Sequence, residues 1–196
     1  MVYYTGDIHG NTKKLVDFAS RFKLTEADVL IILGDVGANY YGNHRDRYCK
    51  ETLASMKPII FCIHGNHERR PASLPVYKLK EWNGGMVWYE DAYPNLLFAR
   101  DGDIFDIEET KHLVIGGAYS VDKFYRLERN YFWFPDEQPT AEIKAYVKEQ
   151  VTKHQIDIIL SHTCPFKYEP REAFLPMIDQ GSVDDSTERW LDEVEE

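Results

Sequence analysis

Cysteine is scarce in this chain. Three occur in 196 residues, Cys49, Cys62 and Cys164, odd in number, widely spaced and without a Cys-x-x-Cys pair. That pattern excludes a disulfide framework and a thiolate zinc site, and it fits a reducing compartment. Long apolar runs are absent too, since none approaches the ~18 residues of a membrane span. Met1-Val2-Tyr3-Tyr4-Thr5 leads straight into a polar motif with no basic stretch before it, so a secretory leader is not expected. The expectation is a soluble, cytoplasmic protein with no membrane partner. Basic residues are in deficit, 23 against 33 acidic ones, which leaves a net charge of −10. A broad phosphate-backbone footprint needs clustered Lys and Arg, so extended nucleic-acid binding is not expected. Repeats and low-complexity linkers are missing, and the length suits one domain over residues 1–196.

What is present is a series of short apolar runs, each ending in a polar cluster. Val2–Thr5 ends in Gly6-Asp7-Ile8-His9, Val29–Leu33 in Gly34-Asp35, and Ile59–Ile63 in His64-Gly65-Asn66-His67. His112–Ile115 ends in Gly116-Gly117, and Ile156–Leu160 in Ser161-His162. Continuous β-branched runs of this length read as strands buried on both faces. Between the first two, Leu15, Phe18, Ala19 and Phe22 mark one helical face, with Asn11 or Thr12 as its cap. A second helix is expected over about Arg45 to Met56, stopped by Pro58, and a third from Thr140 with Ile143, Val147 and Val151 inward. A short acidic helix over Thr187–Glu196 would put Trp190, Leu191 and Val194 on one face. This alternation implies a layered α/β fold. Leu96–Ala99 and Ile104–Ile107 flank Asp101-Gly102, which predicts a hairpin and, with His112–Ile115, a second sheet. The segment Ser120–Pro139, rich in aromatics and arginine, is too irregular in period for one element and reads as a packed surface loop or insert.

Asp7, His9, Asp35, Asn66, His67 and His162 all fall just past strand ends, the edge where open α/β sheets place their ligands. In Asp7-x-His9 both side chains leave an extended segment on the same side. Asp35 can bridge two cations with its two oxygens, Asn66 offers a neutral oxygen and His162 an imidazole. Such mixed oxygen and nitrogen donors suit Mn²⁺, Fe²⁺ or Zn²⁺ better than Ca²⁺ or a thiolate-bound metal. Gly6, Gly34 and Gly65 precede these residues where the chain must turn sharply off a strand. Any one of these motifs alone is a common surface pattern; four in order make a strong signal.

Gly6-Asp7-Ile8-His9-Gly10-Asn11, Gly34-Asp35, Gly65-Asn66-His67-Glu68 and Ser161-His162 resemble, in order and spacing, the calcineurin-like metallophosphoesterases. The first and third motifs are most similar to the branch of Ser/Thr protein phosphatases and diadenosine-tetraphosphate hydrolases. The resemblance implies an α/β/β/α sandwich of two mixed sheets flanked by helices. It further implies two divalent metal ions, Mn²⁺ first with Fe or Zn as alternatives, and a metal-bridging hydroxide that attacks a phosphoester. Asp7 and His9 then match ligands of one metal, Asn66 and His162 ligands of the other, and Asp35 the bridge between them, which also gives it a catalytic part. His67 matches the non-ligand histidine beside the scissile phosphate, as acid or transition-state stabiliser. Glu68 is expected to steady a loop or a ligand histidine. Tyr119 and Arg126 are the expected substrate contacts.

Two departures stand out. The family closes its site with a C-terminal Gly-His-x-His, whereas no histidine follows His162 here. Each metal is therefore expected to be a ligand short. We expect a chain that is C-terminally incomplete, with water or a neighbouring chain as other ways to fill the gaps. The protein-phosphatase branch also carries an arginine soon after Gly-Asp, and the corresponding run here is Val36-Gly37-Ala38-Asn39-Tyr40. Substrate class thus stays open, and so does oligomeric state. A metal-dependent phosphatase or phosphodiesterase is the expected function. A catalytically impaired fragment acting as a binding module and a metal-dependent nuclease remain as alternatives, the last because a bound cation overrides the local field. His44, His64, His112 and His154 have no partner in the pattern and read as solvated or core histidines.

Overall fold

The computed structural model describes residues 1–174 and 180–196. The apolar runs become strands: β1 (Val2–Thr5), β2 (Val29–Ile32), β3 (Ile59–Cys62), β4 (Lys78–Trp82), β5 (Gly85–Tyr89) and β6 (Leu96–Ala99) form one sheet in the order β1-β2-β3-β6-β5-β4. β1, β2, β3 and β6 run parallel, and β5 and β4 are antiparallel to their neighbours. A second sheet holds β7 (Ile104–Ile107), β8 (Thr110–Ile115) and β9 (Ile158–Ser161), with β7–β8 antiparallel and β8–β9 parallel. The helices are α1 (Lys13–Arg21), α2 (His44–Ala54), α3 (Lys123–Glu128), α4 (Ala141–Lys153) and α5 (Ser186–Glu195). Among the described residues no helix is long and apolar enough to cross a membrane.

The period-two alternation of strand side chains sorts the core into layers. Leu30, Ile32, Ile60 and Cys62 point one way, onto Leu15 and Ala19 of α1 and Cys49 and Leu53 of α2. Ile31, Phe61 and Leu97 point the other way, onto Phe105, Ile107, Val114 and Leu160 of the second sheet. The far face of that sheet, Leu113, Ile115 and Ile159, is covered by Val147 of α4 and Leu191 of α5, with Ile143, Val151, Trp190 and Val194 packed around them. The order is α/β/β/α, as expected. Burial on both faces holds for β2, β3 and β6, but β1 is an edge strand with Tyr4 46% exposed. Phe22, placed on the buried face of α1 by its spacing, lies past the helix end and is largely exposed. Thr12 occupies the start of α1 without a side-chain capping bond, whereas Asn43 and Thr140 cap α2 and α4 through Oδ1 and Oγ1.

One expectation fails on topology. Asp101-Gly102 does not close a hairpin, because both edges of β6 are already taken by β3 and β5. The chain instead crosses there from the first sheet to the second, with the Asp101 carboxylate accepting from Gly116 N–H and paired with Arg70. The hairpin turns are Asn83-Gly84 between β4 and β5, both at positive φ, and Glu108-Glu109 between β7 and β8. The segment Ser120–Pro139 is not loop throughout, since it contains α3 and buries Arg126, Phe134 and Glu137.

Candidate metal centre

Because β1, β2 and β3 are parallel and adjacent, their carboxyl ends carry Asp7 and His9, Asp35, and Asn66 and His67 to one edge. β9 delivers His162 from the second sheet. The loops are laced together by backbone. Ile8 and His9 N–H donate to the Asp35 carbonyl at 3.2 and 2.8 Å, and Gly10 N–H to that of Val36 at 2.8 Å. His9 and Asp35 themselves adopt left-handed backbone, φ 44° and 47°, a costly conformation for such residues that neighbouring contacts must hold. Two glycines are required by close approach. A Cβ on Gly65 would lie 2.1 Å from Asp35 N and Oδ1, and one on Gly34, at φ +100°, 2.1 Å from His162 Nδ1. Gly6 has open space around it and no positive φ, so the turn after β1 does not depend on it.

Side-chain donor atoms converge in two groups, Asp7/Asp35/His162 and His9/Asp35/His67, each with its atoms within 4.8 Å of one another. Asp35, 2% exposed, belongs to both. Its Oδ2 stands 3.7 Å from His9 Nε2, and its Oδ1 3.7 Å from His162 Nε2 and 2.8 Å from the His67 N–H that donates to it. Asp7 reaches both histidines, at 3.8 Å to His9 Nε2 and 3.9 Å to His162 Nδ1. Asn66 Oδ1 lies 2.8 Å from His162 Nε2. The expected pairs are in contact, Asp7 with His9 and Asn66 with His162, and Asp7 also approaches His162 while His67 joins His9 and Asp35.

Hydrogen-bond chemistry fixes which atoms face one another here. Ser120 Oγ donates its single proton to Glu137 Oε2 at 2.5 Å, so the Asn66 atom 2.7 Å from it is the donor Nδ2. Asn66 therefore turns an oxygen lone pair toward His162. The other ring nitrogen of His162, Nδ1, sits 2.7 Å from the Leu33 carbonyl and must carry a proton there. Nε2 of the same ring faces Asn66 Oδ1 at 2.8 Å and Asp35 Oδ1 at 3.7 Å. These contacts are satisfied by positive charge among them, carried by a second ring proton or by a bound cation. The donor set, oxygens and imidazoles without thiolate, fits a divalent metal.

The family model for calcineurin-like phosphoesterases matches residues 1–189. The chain belongs to that family. Neither the curated proteins nor the solved structures compared with it include a match.

Within this calcineurin-like phosphoesterase, Glu68 is the buried brace between loops. One oxygen accepts from Gly65 N–H at 3.1 Å and Val36 N–H at 3.4 Å. Complete burial and the Asp35 charge push its carboxyl up to about 8. His67 has its pKa lowered, chiefly by burial; its Nε2 lies 3.6 Å from Asp122 Oδ1, and its ring meets His9 edge-on at 5.5 Å. His64 is buried beside Arg70 and His162 and held neutral by that burial, as a core histidine. His112 is likewise structural, bonded to Tyr4 Oη and the Thr110 carbonyl.

Arg126 corrects an expectation. It is 2% exposed, with its guanidinium donating to Ser120 Oγ and the Phe132 carbonyl and its Nε 3.1 Å from Asp122 Oδ1. A substrate would have to displace all of these, so Arg126 is an internal clamp. Tyr119 lies half-buried by a separate cavity that His162 also lines, with Lys123 Nζ 5.7 Å from its ring. The functional neighbours missed by sequence reasoning are Ser120, Asp122 and Glu137. Asp122 and Glu137 are two of seven charged residues in Ser120–Pro139, and nothing local in the sequence sets them or Ser120 apart.

Proposed function

We propose that the chain is a metal-dependent phosphoester hydrolase, a phosphatase or phosphodiesterase, working as one domain over residues 1–196. The observation that carries this reading is the convergence of Asp7, Asp35 and His162, and of His9, Asp35 and His67, on one edge of the sheet, with Asn66 Oδ1 2.8 Å from His162. Asp7, His9, Asp35, Asn66 and His162 would hold two divalent ions, Mn²⁺ before Fe or Zn, with Asp35 common to both. Bound there, the metals would supply Lewis-acid activation of water and neutralise charge on the phosphoryl oxygens.

The remaining work falls to the chain's own groups. Gly65 lets the loop after β3 close onto Asp35, which fixes the carboxylate against the His67 N–H. His67 offers a ring N–H to the leaving oxygen, its ring held between His9 and Asp122. Glu68 keeps the loops after β2 and β3 at a fixed separation. In the overall reaction the water oxygen bonds to phosphorus, the ester P–O bond breaks, and one water proton ends on the leaving oxygen.

The test is hydrolysis of para-nitrophenyl phosphate with Mn²⁺ by the parental chain and by Asp35→Asn. Hydrolysis by the parent and its loss in a folded Asp35→Asn variant support the reading. Near-parental activity in the variant contradicts it.

A further inference from the structure

Beside His9 and His67 the surface opens into a cavity of about 490 Å³, within the size range of small-ligand sites. Its outer wall comes from the loop after β2 and the first turns of α2: Tyr40, Tyr41, His44, Arg45 and Tyr48. Tyr40 and Tyr41 meet edge to face with centroids 4.7 Å apart. Phe132 and Phe134 back Tyr40 at 5.6 and 5.8 Å, so that ring is held firmly. Tyr41 and Tyr48 are not covered in the same way, being 38% and 68% exposed. The loop thus keeps aromatic faces at the mouth of a cavity where burial would have been the cheaper use of them.

The charge of this wall runs against the rest of the molecule. The chain carries ten excess negative charges, yet among the described residues that line this cavity there is no aspartate or glutamate. Asp46, the acid nearest in sequence, is turned inward, where it accepts from the Tyr41 and Gly42 amides at 2.9 and 2.7 Å. Arg45 rests its guanidinium 4.8 Å from the Tyr41 ring centroid, a position that keeps it on the wall while its N–H groups stay available. Arg45 lies in the first turn of α2, so the positive end of the helix dipole adds to its charge, and His44 beside it offers a ring N–H.

Resting on the hydrolase reading above, we propose that this cavity takes the substrate's leaving group, and that the leaving group is an aromatic ring carrying an anionic group of its own. Tyr40, Tyr41 and Tyr48 receive the ring; Arg45, with His44, receives the charge. Two sources share that chemistry: a carboxylated aryl phosphate, and a nucleoside diphosphate whose leaving group is a nucleoside monophosphate. In both, water's oxygen goes to phosphorus, the bond from phosphorus to the leaving oxygen breaks, and that oxygen takes one of the water protons.

The experiment compares four substrates with Mn²⁺: para-carboxyphenyl phosphate, a nucleoside diphosphate, para-nitrophenyl phosphate and glycerol phosphate. The parental chain, Arg45→Gln and Tyr48→Ala are run side by side. The expected result is a KM lowest for the first or second substrate, and which of the two is lower identifies the source. Arg45→Gln should raise that KM about tenfold at unchanged kcat, the loss of one charge-assisted contact. It should leave para-nitrophenyl phosphate, which lacks the anion, within about twofold. Tyr48→Ala should raise KM for the aromatic substrates and spare glycerol phosphate. A second arm needs no turnover. The metal-free chain is titrated with para-hydroxybenzoate and with a nucleoside monophosphate while tyrosine fluorescence is followed, and at least one should bind, about tenfold more weakly to Arg45→Gln. Failure of every substrate with product binding intact overturns the hydrolase reading and leaves the cavity assignment standing. Hydrolysis of para-nitrophenyl phosphate with no response of the charged substrates to Arg45→Gln overturns the cavity assignment, and so does the absence of product binding.

Discussion

Asn66 Nδ2 donates to Ser120 Oγ at 2.7 Å, and this bond decides which atom of the amide looks at His162. Ser120 is fully buried and spends its own proton on Glu137, which also accepts from Trp133 Nε1 at 2.6 Å. The segment around α3 therefore sets the orientation of a candidate ligand on a loop more than fifty residues away in sequence. It also reaches His67 through Asp122, and Arg126 ties the two contacts together.

Ser120→Ala tests that link. The Asn66 amide loses its acceptor and is free to turn, while Glu137 loses a donor in a buried place. Mn²⁺ affinity, read by calorimetric titration, should fall about 10-fold or more, the usual effect of removing a hydrogen bond that orients a ligand. Stability should fall by about 1–3 kcal/mol for the partners left unpaired. Unchanged Mn²⁺ affinity would show that the amide is oriented by something else.

Gly34→Ala puts a methyl group where His162 Nδ1 now lies, on a backbone at φ +100°. Both the clash and the strain act together, and a cost of about 1–3 kcal/mol from the backbone alone is expected. The thermal midpoint should drop, and Mn²⁺ affinity with it, because the ring of His162 must move. Gly6→Ala is the control, with space around it and ordinary φ; it should leave both readings close to parental.

Phe105 sits fully buried between the two sheets, against Phe61 at 4.8 Å and Trp82 at 6.1 Å. Phe105→Ala should cost about 3–5 kcal/mol in chemical denaturation, as for other aromatic truncations in a core. Its ring contacts are Phe61 and Trp82 and include no donor residue, so Mn²⁺ affinity of the folded fraction should persist.

Glu188 lets stability be read against pH. Its Oε1 accepts from Thr163 Oγ1 at 2.8 Å, while Oε2 is buried without a partner, and burial raises its pKa. An acid whose folded pKa lies above its unfolded one binds more protons folded than unfolded between the two values. Its contribution to stability is therefore present in acid and is lost as pH rises through that interval. Glu188→Gln keeps the Thr163 bond and removes the ionisation. The thermal midpoint of the variant should exceed that of the parent at pH 7, and the gap should close as pH falls below the ordinary carboxylate range. An equal gap at every pH would contradict the assignment to ionisation.

The layers and the cluster were legible in the sequence because they depend on local signals. Runs such as Val29–Ile32 and Ile59–Cys62 declare themselves by composition, and each is followed within four residues by the polar residue it delivers, Asp35 and Asn66. Partner choice is not local. Asp101-Gly102 looks like a hairpin turn until β5 is known to occupy the free edge of β6, and nothing near Asp101 announces β5. The Asn83-Gly84 turn did carry a readable signal, an Asn-Gly pair between apolar runs. Ser120, Asp122 and Glu137 act across long sequence separations, from a segment whose aromatic composition masks a six-residue helix. Arg126 reads as a free cation in sequence and becomes a buried clamp only when Glu137 and Asp122 fold around it.

We infer that the edge built by Asp7, His9, Asp35, Asn66 and His162 holds metal. The direct test is metal content per chain by elemental analysis after loading with Mn²⁺ and removing the free ion, for the parental chain and for Asp35→Asn. About two ions per parental chain, with loss of both in a folded Asp35→Asn, is the predicted result, because Asp35 belongs to both donor groups. One ion or none in the parent, or a content that Asp35→Asn leaves unchanged, would contradict it.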